Sequence, residues 1–149
     1  MHIEPLPSLD EVIALLAECA LPTEDILPSS PPHFFGIRLD GALAAVVGLE
    51  LHRPFGLLRS LAVAPAFRHH GYARELVAFA ESFAAAHGIE ALFLLTTAAE
   101  RFFLALGYSP AARHAAPPAI QATSQFSQLC PASSAFLCKH VAANDPERS

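Results

Sequence analysis

An α/β fold with a mixed central sheet and helices on both faces is predicted by three stretches of this 149-residue chain. The first is a series of strand-like segments, residues 33–39, 42–51 and 57–63, joined by Asp40-Gly41 and by a Pro54-containing turn at residues 52–56. These read as an antiparallel meander. The second is LLRSLAVAPAFRHHGYARELVAFAESFAAA, residues 57–86, where an apolar strand meets Pro65, a short polar segment and then a long amphipathic helix. The third is IEALFLLTT, residues 89–97, apolar on both faces, as expected of a strand with helices on both sides. Strand, helix and strand over residues 57–97 then imply a parallel unit with a right-handed crossover.

The remaining elements follow in chain order. Ser8-Leu9-Asp10-Glu11 has the form of a capping box, and Leu9, Val12, Ile13, Leu16 and Cys19 recur at helical spacing behind it. Residues 21–32 hold four prolines, enough to end regular structure, though Thr23-Glu24-Asp25 could cap one turn. This segment is a loop candidate for covering a substrate. The helix of residues 72–87 places Leu76, Phe79, Ala80, Phe83 and Ala86 on one stripe, with Gly88 as its stop. Residues 98–106 predict a short helix ended by Gly107, residues 108–113 a strand, and residues 119–128 one or two helical turns after Pro117-Pro118. Residues 134–140 predict a closing strand. One domain over residues 1–143 is expected, with 144–149 a frayed tail.

Composition narrows the function classes. An apolar fraction of 53% and a charged fraction of 15% describe a packed globule. The net charge of −5 argues against a nucleic-acid binder, which needs a basic face. The sequence has no apolar run of the roughly 20 residues a membrane helix requires, and the first residues lack signal-peptide character, so a cytoplasmic protein is expected. Cys19, Cys130 and Cys138 are widely spaced and odd in number, which favours reduced thiols over a disulfide framework. The eight histidines show no H-x-x-x-H or H-E-x-x-H pattern, so no metal is expected.

A glycine turn feeding a helix makes an anion cradle, because the first helical N–H groups lack intrahelical partners and the macrodipole adds positive charge there. Arg68-His69-His70-Gly71-Tyr72-Ala73 occupies that place. It matches the R/Q-x-x-G-x-G/A signature, and the chain resembles the GCN5-related N-acetyltransferase (GNAT) superfamily over nearly its whole length, best over residues 57–110. LRSLAVAPAFR, the strand ending in Leu-Thr-Thr, FFLALGY and QATSQFSQLCPASSAF are similar to the small GNATs associated with arsenic-resistance genes. Some of these acetylate amino acids, arsinothricin or phosphinothricin.

The resemblance implies a sheet of about six to seven strands with helices on both faces. It implies that the strand at Leu61, Ala62 and Val63 splays from its neighbour beginning near Leu92, so that acetyl-CoA inserts its pantetheine there. The cosubstrate's pyrophosphate would lie on Arg68, His69, His70, Gly71, Tyr72, Ala73 and Arg74, and its acetyl end on Phe102 and Phe103. An N–H near Val63 resembles the family's oxyanion donor. The expected activity is transfer of acetyl to a small-molecule amine, without a covalent acyl-enzyme. Monomer and homodimer both stay open.

Many members of the superfamily place a tyrosine at the position of Phe103 to protonate the leaving thiolate. Phenylalanine cannot, but a general acid adds only roughly 10²-fold to 10⁴-fold, so an enzyme is still expected. A CoA-binding module without catalysis is the alternative. Glu50 is the candidate base, against a strand-edge carboxylate paired with Arg53 or another cation. A five-residue turn would set Glu50 with Leu58 and Ser60, and a turn one residue shorter would set it beside Arg59.

Arg59 sits in an apolar strand, so it needs a carboxylate or a wet cleft. Either it clamps an acidic substrate through its planar fork or it forms an internal salt bridge. Arg113 and Arg38 are weaker clamp candidates, and Thr96 and Thr97 could hydrogen-bond substrate. A thiol metalloid site would rest on the three cysteines alone.

Overall fold

The computed structural model describes residues 3–5, 8–26, 32–129 and 134–141. Its strands are β1 (Ile3–Pro5), β2 (His33–Leu39), β3 (Ala42–His52), β4 (Phe55–Val63), β5 (Ala91–Thr96), β6 (Ser109–Pro110) and β7 (Ala135–His140). The helices are α1 (Leu9–Glu18), α2 (Tyr72–Ala86), α3 (Glu100–Ala105) and α4 (Pro118–Gln121). The strands form one mixed seven-stranded sheet in the order β1-β2-β3-β4-β5-β7-β6, with β4 and β5 parallel. This is the expected α/β class. Two compact units divide the chain, Met1–Glu50 with Leu58–Glu81, and Leu51–Leu57 with Ser82–Ser149.

In the first unit, β2 and β3 turn at Asp40 and Gly41, whose φ angles of 52° and 79° are both left-handed, the twist a two-residue hairpin needs. Successive residues of β2 then serve opposite faces. Phe34 joins Val12, Leu15 and Leu16 of α1, with Ile26, Val46 and Ala62, in one core. Phe35 meets Phe79 of α2 edge-on, with ring centroids 5.0 Å apart. One residue of sequence thus separates the α1 face from the α2 face. The buried positions of α2 are Leu76, Val77, Ala80 and Ala84, with Phe79 37% exposed. The predicted stripe was therefore rotated: Val77 and Ala84 take core positions, and Phe79 reaches the sheet only by its edge.

The capping box does not form. Ser8 precedes α1 without a side-chain bond, and both Glu11 oxygens instead accept from Arg38, Oε2 from Nη1 and Oε1 from Nη2, each at 2.8 Å. A charge-assisted fork outcompetes a single bond to a backbone N–H. Arg38 also donates from Nε to Glu4 at 3.1 Å, so one guanidinium ties β1, α1 and β2. Hydrogen bonding to Arg38 is the largest influence on Glu11 and holds its pKa below the ordinary 4.5.

A carboxyl lowered in this way stabilises the fold above its unfolded pKa and loses that contribution as the pH falls through its folded one. Arg38→Gln is therefore expected to melt a few degrees below the parent at neutral pH, with the gap beginning to close near pH 4.5 and vanishing only below the lowered pKa of folded Glu11. Thermal melts of both proteins across the acid range check this. A constant gap at all pH values would remove the ion pair as its cause.

In the second unit, Phe55, Gly56 and Leu57 of β4 pair with Ala91, Leu92 and Phe93, and β5 pairs with β7 from Ala91↔His140 to Thr96↔Ala135. Leu57, Ala91, Phe93, Ala116, Ile120 and Phe136 make its core. The predicted strand of residues 108–113 shrinks to two residues: only Ser109 and Pro110 pair with β7, and a 3-10 turn takes over at Arg113. The loop between β3 and β4 is Arg53-Pro54 alone, shorter than either turn considered. There, Arg53 Nε donates to the His87 carbonyl beyond α2 at 2.6 Å. Cys130 and residues 144–149 lie outside the described residues.

Candidate active site

Arg59 is the buried charge of β4, 5% exposed. Glycine at position 48 of β3 makes room for it. A Cβ on Gly48 would lie 2.9 Å from the Phe34 ring, closer than real Cβ atoms come, and 3.2 Å from Arg59 Cγ, tighter than most of them, so a side chain there would make the ring move and press on the arginine.

The guanidinium is engaged by the protein itself. Nη1 and Nη2 donate to the two oxygens of Asp25, Nη2 to Oδ1 at 2.7 Å. Nη1 also donates to Glu50 Oε2 at 2.7 Å, and Nε to Ser60 Oγ at 3.0 Å. The Arg59 side chain is 1% exposed, while those of Asp25 and Glu50 are 11% and 18% exposed. The cation therefore lies beneath two carboxylates that reach the surface. Burial is the largest influence on Arg59 and works against its charge, but the hydrogen bonds to Asp25 and Glu50 prevail and its pKa is raised. Of the two readings of Arg59, the internal salt bridge is present, and a substrate anion would have to displace Asp25 and Glu50 to use the fork. Glu50 is paired with Arg59, not with Arg53.

Asp25 and Ser60 were not singled out from sequence as partners of Arg59. An arginine in an apolar strand demands a carboxylate, but nothing in the spacing says which one. Ser60 has φ of 57° in the middle of a strand, a conformation that costs a non-glycine residue about 1–3 kcal/mol. Its Oγ is held by Arg59, which helps to fix this kink, and three residues later the strand ends at Val63.

Beyond the kink, Ala62 is buried in the α1 core, and Leu61 and Val63 are half-buried. All three lie past Leu57, the last residue of β4 in register with β5. The Val63 carbonyl accepts from Arg68 Nε at 2.9 Å and lies 3.6 Å from Cys19 Sγ. Arg68 thereby folds the chain back over the 3-10 turn Pro65–Phe67. His69 and Gly71 are left-handed, with φ of 69° and 83°.

The first helical bond of α2 runs from Glu75 N–H to Gly71 C=O at 3.1 Å. The N–H groups of Tyr72, Ala73 and Arg74 consequently have no acceptor four residues back within the helix. Arg68, His69, His70, Gly71 and Arg74 are exposed, and an added Cβ at Gly71 would meet nothing within 4 Å. Unspent amides, a left-handed glycine, open space and nearby cations fit a pyrophosphate.

The other predicted residues belong to the second unit, and Thr96, Arg113 and Phe103 have local partners there. Thr96 Oγ1 accepts from Ala99 N–H at 3.0 Å, in the turn before α3, and Thr97 is exposed. Arg113 donates to the Ser134 carbonyl at 3.0 Å and lies 5.6 Å from the centre of the Phe126 ring. Phe103 is 5% exposed and meets Phe102 and Tyr108 edge-on. Cys138 is half-buried, and its thiol is pushed up in pKa by burial. Among the described residues, no group of three or more His, Cys, Asp and Glu is placed to hold a metal. Nor is any helix among them long and apolar enough to cross a membrane.

Residues 6–108 match the acetyltransferase (GNAT) family. The chain belongs to this family. An amino-acid acetyltransferase of Ectopseudomonas mendocina (strain ymp) is 31% identical to this GNAT chain over a match of 122 residues that covers 78% of the chain and 28% of that protein. N-acetylglutamate synthase from Neisseria gonorrhoeae, solved with coenzyme A and N-acetyl-glutamate, superposes with a TM-score of 0.79 at 20% identity, over 95% of this chain and 35% of that one. The ribosomal-protein-S18-alanine N-acetyltransferase from Escherichia coli superposes with a TM-score of 0.63 at 16% identity, over 95% and 94% of the two chains. At such identities the superpositions establish the GNAT fold. The chain spans well under half the length of the first two proteins.

Proposed function

We propose that this GNAT chain is an N-acetyltransferase that uses acetyl-CoA to acetylate the α-amine of a small amino-acid-like acceptor. The observation that carries the reading is the cradle at Gly71, between β4 and α2, where open space at the glycine adjoins the unspent amides of Tyr72, Ala73 and Arg74. When bound, acetyl-CoA supplies an activated thioester. The amides of residues 70–74 would hold its pyrophosphate, and the backbone at Leu61 to Val63, beyond the last β4 residue in register with β5, would receive the pantetheine. The Val63 N–H serves the developing oxyanion. Glu50, directly or through one water, would take the proton that the ammonium must lose before its nitrogen bonds to the acetyl carbon; as the carbon–sulfur bond breaks, coenzyme A would leave as its thiolate, and the extra proton on the new amide nitrogen would pass to it through solvent.

The amino-acid acceptor is supported by the relative named as an amino-acid acetyltransferase. A phosphinothricin-like or arsinothricin-like compound is the finer version of the same acceptor. Because Arg59 is occupied by Asp25 and Glu50, the acceptor's acidic group is held by other residues. A CoA-binding module without turnover is favoured by one observation, the buried Phe103 in place of a tyrosine.

Release of free thiol from acetyl-CoA across amino acids, phosphinothricin-like compounds and polyamines separates the two readings. Turnover that depends on an amino-acid-like amine is expected, and acetyl-CoA binding with no acceptor-dependent turnover would favour the module. Glu50→Gln is expected to lower turnover about 10²-fold to 10⁴-fold and to change its pH profile. An unaltered profile would remove Glu50 as the base.

A further inference from the structure

Three segments of chain meet at the Arg59 guanidinium: Asp25 from the loop after α1, Glu50 from β3, and the kinked Ser60 of β4 itself. A buried ion pair contributes little net stability compared with apolar residues of the same volume, because each ion must be desolvated. What a guanidinium supplies better than an apolar side chain is direction, since its planar fork accepts partners only in its plane and at fixed angles. The loop at residues 21–26 has other anchors, Ile26 in the α1 core and Leu21 packed against it. These anchors hold apolar side chains, and neither orients the loop's polar edge.

We propose that Asp25 is a positioning residue: through Arg59 it latches the loop of residues 21–26 against β4 as one wall of the acceptor site. Asp25 and Glu50 both accept from the same nitrogen, Nη1, so the two carboxylates stand side by side above the buried cation. If Glu50 is the base, as the functional reading holds, the loop carrying Asp25 borders the reacting amine. The latch itself does not depend on that assignment. Ser60 extends the same device, because Arg59 Nε holds the left-handed kink that precedes Val63.

Asp25→Asn in the full chain is the test, because Arg59 keeps Glu50 and Ser60 as partners and no buried cation is left alone. The amide of Ile26, bonded to the Thr23 carbonyl at 3.1 Å, and that of Leu21, bonded to the Leu16 carbonyl at 2.9 Å, report on the loop by hydrogen exchange. Both are expected to exchange about tenfold or more faster in Asp25→Asn, while Val12 in α1 keeps its protection. Asp25→Glu, which restores the carboxylate, is expected to recover most of the lost protection.

The affinity for coenzyme A, measured by calorimetry, should stay within about twofold of the parent, because the cradle is untouched. For the amine that the thiol assay identifies, the acceptor KM should rise more than the acetyl-CoA KM. Unchanged exchange at Ile26 and Leu21 would overturn the latch, since Leu21 and Ile26 would then suffice. Faster exchange spread through α1 would also overturn it, as a sign of general loosening, and an unmoved acceptor KM would remove the loop as an acceptor wall. A parent chain that turns over no amine would sink the functional reading, and the exchange result would still decide the latch.

Discussion

A tryptophan at Gly71 is expected to lower coenzyme A affinity at least about 100-fold, or roughly 2.7 kcal/mol. The indole would occupy the space in front of Tyr72, Ala73 and Arg74, where the amides need an anion. Two effects are combined in that substitution, and a second variant separates them. Any side chain at φ of 83° is strained, by about 1 kcal/mol. A Cβ alone, however, would meet nothing within 4 Å. Gly71→Ala should therefore cost a little stability and keep most of the affinity. Calorimetry with coenzyme A on both variants decides the matter. Parental affinity in Gly71→Trp would remove the cradle, and equal losses in both variants would make strain, not occlusion, the cause.

Arg59→Met is expected to destabilise the chain by about 3–5 kcal/mol, because removing the cation leaves the carboxylates of Asp25 and Glu50 facing each other with their desolvation uncompensated. Against a typical total of about 5–15 kcal/mol, that is enough to unfold a marginal protein. Arg59→Lys keeps the charge but loses the fork, so an intermediate loss is expected. Replacing Arg59, Asp25 and Glu50 together by apolar residues of similar volume should recover much of the stability and none of the turnover assigned to Glu50. Urea unfolding of the four proteins measures this series. A loss in Arg59→Met within the range of ordinary surface substitutions, about 0.5 kcal/mol, would mean that solvent already compensates the cluster.

Local chemistry was legible in the sequence. Asp40-Gly41 demanded a left-handed pair between two strands, and the chain turns there with both residues left-handed. Gly71 before a long amphipathic run marked the start of α2, because a helix N-terminus is specified by the residues that form it. Features that depend on a partner far along the chain were not legible. The Ser8–Glu11 capping box was plausible until Arg38, 27 residues away, took both oxygens of Glu11. Strand β1 has only three residues and ends in proline, so its pairing with β2 leaves no periodicity to read. Gly48 carried one signal that could have been used, since a glycine inside a strand often marks a close approach. What approaches is the Phe34 ring on one side and Arg59 on the other, and only the pairing of the strands says so.

By itself, the sequence determined the order of strands and helices from α1 to β5, the glycine turn between β4 and α2, and the need of a lone arginine in an apolar strand for a partner. Each of these is settled by neighbours a few residues apart, through backbone conformation, helical spacing or the cost of an unpaired charge. The tertiary structure decided who the partner is. Asp25 stands 34 positions before Arg59 and Glu50 nine, and no spacing rule connects them. Their meeting depends on where the chain of residues 21–26 runs after α1 and on a two-residue turn between β3 and β4. A guanidinium that sequence left free to seize an acidic substrate is, in the folded chain, the buried pin that holds two of the protein's own carboxylates.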